Sequence, residues 1–293
     1  MRIAIFIDKR QENEMTFGHA FAAGLKAHGE NPQIIYGTYP TECDLAVFTG
    51  WHENKNAIME RQMADGNDFI SMDLGILGDH SKWRSIGYNG HKRHADFCID
   101  EMPPTRANRY KWKFKPWKPG NEYILLIGQF PGATTSTGLD IQKRIDETIA
   151  NIGMITNTPI KVRPHPDPQS SHKEQKQSMA ADLAGATCVV AYDSNAAVDA
   201  ILAGVPCIVL DEGGMAWPMA GHYVEDVLDP PMPDDETRQQ WLNNLAHCQW
   251  TKKEIESGAT WEHLKIGPAD PDDATAMDCM LASEETLAKD WND

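Results

Sequence analysis

The sequence predicts an α/β protein made of two doubly wound sheets, and three observations predict it. Short β-branched runs alternate with helical stretches; the alternation breaks over a proline-rich stretch before residue 119 and then restarts; and polar residues fall where the apolar runs end. A chain of 293 residues is long for one ordinary domain and comfortable for two. The expected organisation is a first domain over residues 1–118, a second over 119–225, and C-terminal helices within 226–293 that pack back on the two domains.

Residues 2–7, RIAIFI, read as a buried first strand with Asp8 at its exit. Residues 16–28 carry Phe17, Ala20, Phe21, Gly24 and Leu25 at helical spacing, and Gly29 supplies a stop. Strands are expected over 32–36 and 44–49, the second running into Gly50, Trp51 and His52. A helix over 56–64 and a strand over 68–72 that ends at Asp73 complete the first alternation. Pro103, Pro104, Pro116 and Pro119 make the region that follows a poor candidate for regular structure.

The pattern restarts with a strand over 123–127 that enters Gly128, Gln129 and the loop FPGATTSTG. A helix over 141–152, a strand over 160–162 and a polar helix over 173–183 come next. A strand over 188–191, a helix over 195–203 closed by Gly204, and a strand over 207–210 finish the second unit. Beyond Glu225 an acidic, proline-rich connection leads to an amphipathic stretch over 241–247, and Thr251 with Glu254 has capping-box spacing.

The formal net charge of −16 argues against a general nucleic-acid coat or a polybasic membrane anchor. Its distribution is uneven: residues 81–118 hold ten Lys or Arg against three acids. The six cysteines show no CxxC pair and read as reduced, structural thiols. The apolar run in MRIAIFIDKR is too short for a signal-peptide core, and no run reaches the length of a transmembrane helix. A soluble, cytoplasmic protein without integral membrane contact is expected.

Ligands of open parallel sheets bind beyond the carboxyl ends of the strands, so Gly128, Gln129, Thr134, Arg163, His165, Ser194, Asn195, Asp211 and Glu212 are expected around one crevice. In DSNAAVDAILAG a helix begins just after a strand, and its first N–H groups together with Ser194 and Asn195 can face an anion. In RPHP two prolines fix the backbone of His165, and Arg163 adds planar donors suited to phosphate. The GQFPGATTSTG loop lacks GxxxxGK[ST] spacing, and no GxGxxG follows a strand, which disfavours ATP-dependent phosphoryl transfer and a nicotinamide cofactor.

RPHP, the segment AYDSNAAVDAILAGVPCIVLD and the two α/β halves together resemble GT-B glycosyltransferases of the capsule-polysaccharide, Kdo-transferase and sialyltransferase-like type. The resemblance covers about residues 123–214 and implies two Rossmann-like domains facing a cleft. It implies donor phosphates held at His165-Pro166 and Ser194, where Asn195 departs from the usual Ser/Thr pair. The segment YNGHKRHADF…RYKWKFKPWK is similar to glycosyltransferase-like proteins of tailed bacteriophages, some of which modify hydroxymethylated pyrimidines in viral DNA.

For inverting transfer a general base is needed near the acceptor hydroxyl, and Asp73, then His52, are the candidates at strand exits of the first domain. No cluster has metal-site spacing, and no cofactor beyond the nucleotide-sugar is expected. Asp211 and Glu212 are placed to bond a ribose, or to start the turn at Gly213-Gly214. Lys92, Arg93, Arg109, Lys111, Trp112 and Lys113 offer cations and rings that neutralise phosphates and stack bases, so DNA is the preferred partner; the other reading is a solvated connection whose aromatics pack on the core. A capsule or lipopolysaccharide glycan acceptor, a nucleotide-sugar epimerase, and a non-enzymatic two-lobed anion-binding module remain open.

Overall fold

The computed structural model describes residues 1–51, 53–129, 140–165 and 178–265, a mixed α/β chain with parallel sheets. Its elements begin with β1 (Ile3–Ile7), α1 (Glu12–Ala27), β2 (Gln33–Tyr36), β3 (Leu45–Thr49), α2 (Asn56–Ala64), β4 (Asp68–Leu74), β5 (Trp83–Tyr88) and α3 (Thr105–Tyr110). They continue with β6 (Tyr123–Ile127), α4 (Ile141–Ile155), β7 (Ile160–Arg163), α5 (Met179–Gly185), β8 (Ala186–Ala191), α6 (Ala196–Ala203) and β9 (Cys207–Val209). The last are α7 (Asp235–His247), β10 (Gln249–Thr251), α8 (Lys252–Ser257) and α9 (Ala259–Leu264). His52 and Thr134 lie outside the described residues.

Two compact units result: over the described residues, one comprises 1–106 and 243–265, the other 107–242. The division thus falls upstream of Pro119, and the tail splits between the units. Among the described residues no helix is long and apolar enough to cross a membrane.

In the first unit the strand order is β10-β5-β4-β3-β1-β2, with β1 to β4 parallel and β5 antiparallel to both its neighbours, β4 and β10. All five residues of β1 are buried, as a strand covered on both faces requires. Ile3, Ile5 and Ile7 pack with Phe17, Phe21 and Leu25 of α1 and with Ile255 and Trp261 of α8 and α9. Ala4 and Phe6 face the other way, toward Phe48, Phe69 and Ile58. Gly24 lets α1 and α8 touch, because a Cβ there would sit 2.1 Å from the Ile255 carbonyl oxygen.

β5 (Trp83–Tyr88) corrects the expectation of irregular structure before Pro119, and β10 the expectation of helices alone in the tail. β5 is buried throughout although its text, WRSIGY, holds Arg, Ser and Gly. Arg84 is tolerated because its guanidinium donates to the Ser81 and Trp83 carbonyls and lies 3.9 Å over the Phe17 ring. β10 then pairs with β5, where only terminal helices were expected. Its Gln249 side chain accepts from the Ile76 and Leu77 N–H groups at 2.6 and 2.9 Å and donates to the Leu77 carbonyl at 3.2 Å, fixing the loop after β4.

The second unit is a parallel sheet of order β7-β6-β8-β9. Ile124, Leu126, Cys188, Val190 and Ile208 pack under Ile141, Ile145 and Ile152 of α4. Gly204, with φ +85°, closes α6 as the sequence predicts. The capping box of Thr251 and Glu254 is present at α8. Counted from its first strand, each unit has the order 2-1-3-4, which puts a topological switch point at β1/β3 in one and β6/β8 in the other.

Candidate functional site

The β6/β8 switch point collects most of the residues expected there. Gly128 and Gln129 leave β6; Asp193, Ser194 and Asn195 leave β8; Asp211 lies two residues past the end of β9. Gly128 donates its N–H to the Arg163 carbonyl at 2.8 Å, and a Cβ on it would crowd the Arg163-to-His165 backbone at 3.3 Å. The loops after β6 and β7 are therefore held edge to edge.

Gln129, buried, donates from Nε2 to Asp193 Oδ1 at 2.9 Å and accepts from Arg144 Nη1 at 3.2 Å. Arg144 lies in the first turn of α4, its Cζ 4.0 Å over the Tyr192 ring, with Nη2 3.9 Å from Asp211 Oδ2. Neither Arg144 nor Asp193 was singled out from sequence. Arg144 sits inside an ordinary amphipathic helix, and only the fold brings it to the strand edge.

Ser194 Oγ accepts the Ala196 N–H at 3.2 Å just before α6, which leaves its own proton available to a ligand oxygen. Asp211 Oδ1 accepts the Gly213 N–H at 3.0 Å, so this carboxylate also starts the turn, while Glu212 is exposed. His165 is exposed beyond β7. Arg163 ends β7, but its Nη1 pairs with the buried carboxylate of Asp182, which Lys161 also contacts at 2.7 Å.

In the first unit Asp73 stands near the end of β4, opposite Ser85 of β5. Its Oδ2 lies 2.6 Å from His91 Nε2, and the imidazole stacks on Trp51 with centroids 5.3 Å apart. The β5–His91 loop is pinned to β4: Asn89 exchanges backbone and side-chain hydrogen bonds with Phe69, and Ser71 Oγ donates to the Gly90 carbonyl at 2.7 Å. Burial alone would raise the Asp73 carboxyl, but the His91 hydrogen bond, the Leu74 N–H and nearby positive charge together overcome it and hold the group below the usual range. His91 was not among the expected residues.

The β1/β3 switch point is acidic and tightly paired. Buried Lys55 donates to Glu14 Oε2 at 2.8 Å, the Asp8 N–H donates to the same oxygen, and Arg10 holds Asp8 down to about 2 by hydrogen bonding. Among the described residues no group of three or more His, Cys, Asp or Glu side chains is arranged to hold a metal ion.

The basic segment is of two kinds. Arg84 and Arg106 belong to the interior: Arg106 bonds the Ala246 and Gln249 carbonyls and Glu254. Phe114 and Trp117 both pack on the buried Arg238 guanidinium, at 4.2 and 3.8 Å. Arg109, Lys111 and Lys113 are exposed, beside the Tyr110–Trp112 ring pair at 5.0 Å. Lys92 and Arg93 are half-buried in a short turn of the first unit.

No family model matches the chain, and no curated protein matches it in sequence. Among solved structures it is similar to Thermosulfurimonas dismutans KpsC, a beta Kdo 2,4 transferase, at 12% identity and a TM-score of 0.48 over 71% of this chain and 79% of that one. It is also similar to an extracellular ligand-binding receptor from Verminephrobacter eiseniae, at 11% identity and a TM-score of 0.26 over 98% of this chain and 90% of that one. A solute-binding protein of an R. palustris ABC transporter gives 9% identity and 0.26 over 97% and 84%. These likenesses are distant, and the functional reading rests on this chain's own residues.

Proposed function

We propose that the chain is a glycosyltransferase of the GT-B kind that takes a sugar from a nucleotide-sugar to an acceptor hydroxyl. The observation that carries the reading is what gathers at the β6/β8 switch point: the Ser194 hydroxyl, the positive end of α6 and the Arg144 guanidinium held by Gln129. A nucleotide presents what such an edge recognises, namely phosphate oxygens for the N–H and O–H donors and ribose hydroxyls for Asp211. His165 lies beyond β7, exposed.

The acceptor's proton goes to His91, oriented by Asp73, in the division of labour of a base and its positioning carboxylate. In such a transfer a hydroxyl oxygen attacks the anomeric carbon, the C–O bond to the donor phosphate breaks, the phosphate leaves with that electron pair, and the hydroxyl proton passes to the base. Cationic and N–H groups at the donor edge stabilise the leaving charge.

For the acceptor we propose a hydroxymethylated pyrimidine in DNA, supported by exposed Arg109, Lys111 and Lys113 beside Tyr110 and Trp112. The test is incubation of the full chain with a panel of nucleotide-sugars and with plain DNA, hydroxymethylpyrimidine DNA or a lipid-linked glycan, followed by mass analysis. A hexose- or ulosonate-sized increment on digested nucleosides supports the reading. An increment on glycan alone moves the acceptor, and no increment anywhere ends the transferase assignment.

A further inference from the structure

We infer that Arg144, and not Arg163, is the cation that takes the donor's phosphate. This rests on the donor reading above and names which charge serves it. Arg163 is already committed. Its guanidinium closes on Asp182, a carboxylate whose side chain is 3% exposed, and turning Arg163 toward a ligand would leave that buried charge to Lys161 alone.

Arg144 is held in the opposite way, by contacts that orient it without neutralising it. One face of its guanidinium lies on the Tyr192 ring, and that ring is fixed because its hydroxyl meets Thr148 Oγ1 at 2.8 Å and the Arg144 carbonyl at 3.1 Å. Gln129 Oε1, a neutral acceptor, takes one N–H. The carboxylate of Asp211 is 3.9 Å from Nη2, beyond hydrogen-bond length, and is itself engaged by the Gly213 N–H. A planar fork set at a switch point, with its plane fixed and its charge not closed by a bidentate acid, is suited to a phosphate. Asp211 beside it then suits the ribose, so the two recognise a nucleotide where neither would select free phosphate.

The experiment is calorimetric titration of the full chain and its variants with CMP and with UDP, alongside unfolding midpoints. Arg144→Gln should weaken nucleotide binding by about tenfold or more, the worth of a charged hydrogen-bonding pair, with the midpoint close to wild type. Arg144→Lys, which keeps the charge and loses the fork, should fall between. Arg163→Gln should lower the midpoint while the folded protein binds within about threefold of wild type, well short of the loss of such a pair. Wild-type binding that survives both Arg144 variants, or that is lost in folded Arg163→Gln, overturns the assignment to Arg144 and leaves the donor reading standing. Binding of neither nucleotide by wild type overturns both together.

Discussion

His91 Nε2 and Asp73 Oδ2 lie 2.6 Å apart beneath the Trp51 ring, joining a loop residue to the end of the fourth strand. The contact fixes the imidazole's orientation, and although burial alone would raise the carboxyl, the His91 hydrogen bond together with the Leu74 N–H and nearby positive charge holds it below the usual range. Removing the proton acceptor should cost turnover with little effect on donor affinity. His91→Gln is expected to lower kcat by roughly 10²–10⁴-fold. Asp73→Asn should lower it by a comparable factor, and the double variant by little more than either single one, because the two act as a unit. Steady-state kinetics with each variant checks this; additive losses would separate their roles.

Histidine burial elsewhere in the same unit makes a different, structural prediction. Burial, reinforced by the nearby Arg106 cation and His263, depresses His247 from 6.5 to about 4. Above pH 6.5 the folded and unfolded chains both hold it neutral, so it adds no pH dependence. As pH falls from 6.5 toward 4 the unfolded chain takes a proton that the folded chain refuses, and stability declines; below about 4 both are protonated and the decline levels off. Urea unfolding across that window should show this slope, and His247→Gln should flatten it.

Close approach between α1 and α8 depends on a missing side chain. A Cβ at position 24 would stand 2.1 Å from the Ile255 carbonyl oxygen and 3.0 Å from Gly258 Cα, both backbone atoms that cannot swing aside. Gly24→Ala, although it adds helix propensity, should destabilise the fold by about 2 kcal/mol or more through overpacking. An unfolding midpoint equal to wild type would mean that the helices separate freely.

Much of this architecture is legible in the chain because burial on both faces leaves plain marks. β1, β3, β6 and β8 are near-continuous apolar runs, and Asn56–Ala64 is the helix the spacing predicts. The strand ends then locate Gly128, Gln129, Ser194, Asn195 and Asp211 by topology alone. β5 escapes notice because its polar residues are satisfied by the fold, Arg84 by carbonyls and by the Phe17 ring, which no local window contains. β10 is a three-residue strand, Gln249–Thr251, and pairs with the distant Trp83–Ser85. His91 and Arg144 are invisible for the same reason: each becomes notable only through a partner, Asp73 or Tyr192, that the fold supplies.

The exposed cations beside Tyr110 and Trp112 give the last test, which separates DNA binding from donor binding. Arg106 and Arg84 are spent on carbonyls inside the first unit, so replacing them would damage the fold and say nothing about a ligand. Arg109, Lys111 and Lys113 are exposed, and their combined replacement by Gln should leave the unfolding free energy within about 0.5 kcal/mol of wild type, as surface changes do. If they meet phosphates, affinity for hydroxymethylpyrimidine DNA should drop. The slope of log affinity against log salt should become shallower by about 0.9 for each duplex phosphate that the variant no longer neutralises. Nucleotide affinity should be unchanged. An unaltered salt slope in the triple variant would remove this surface from DNA binding and shift the acceptor toward a glycan.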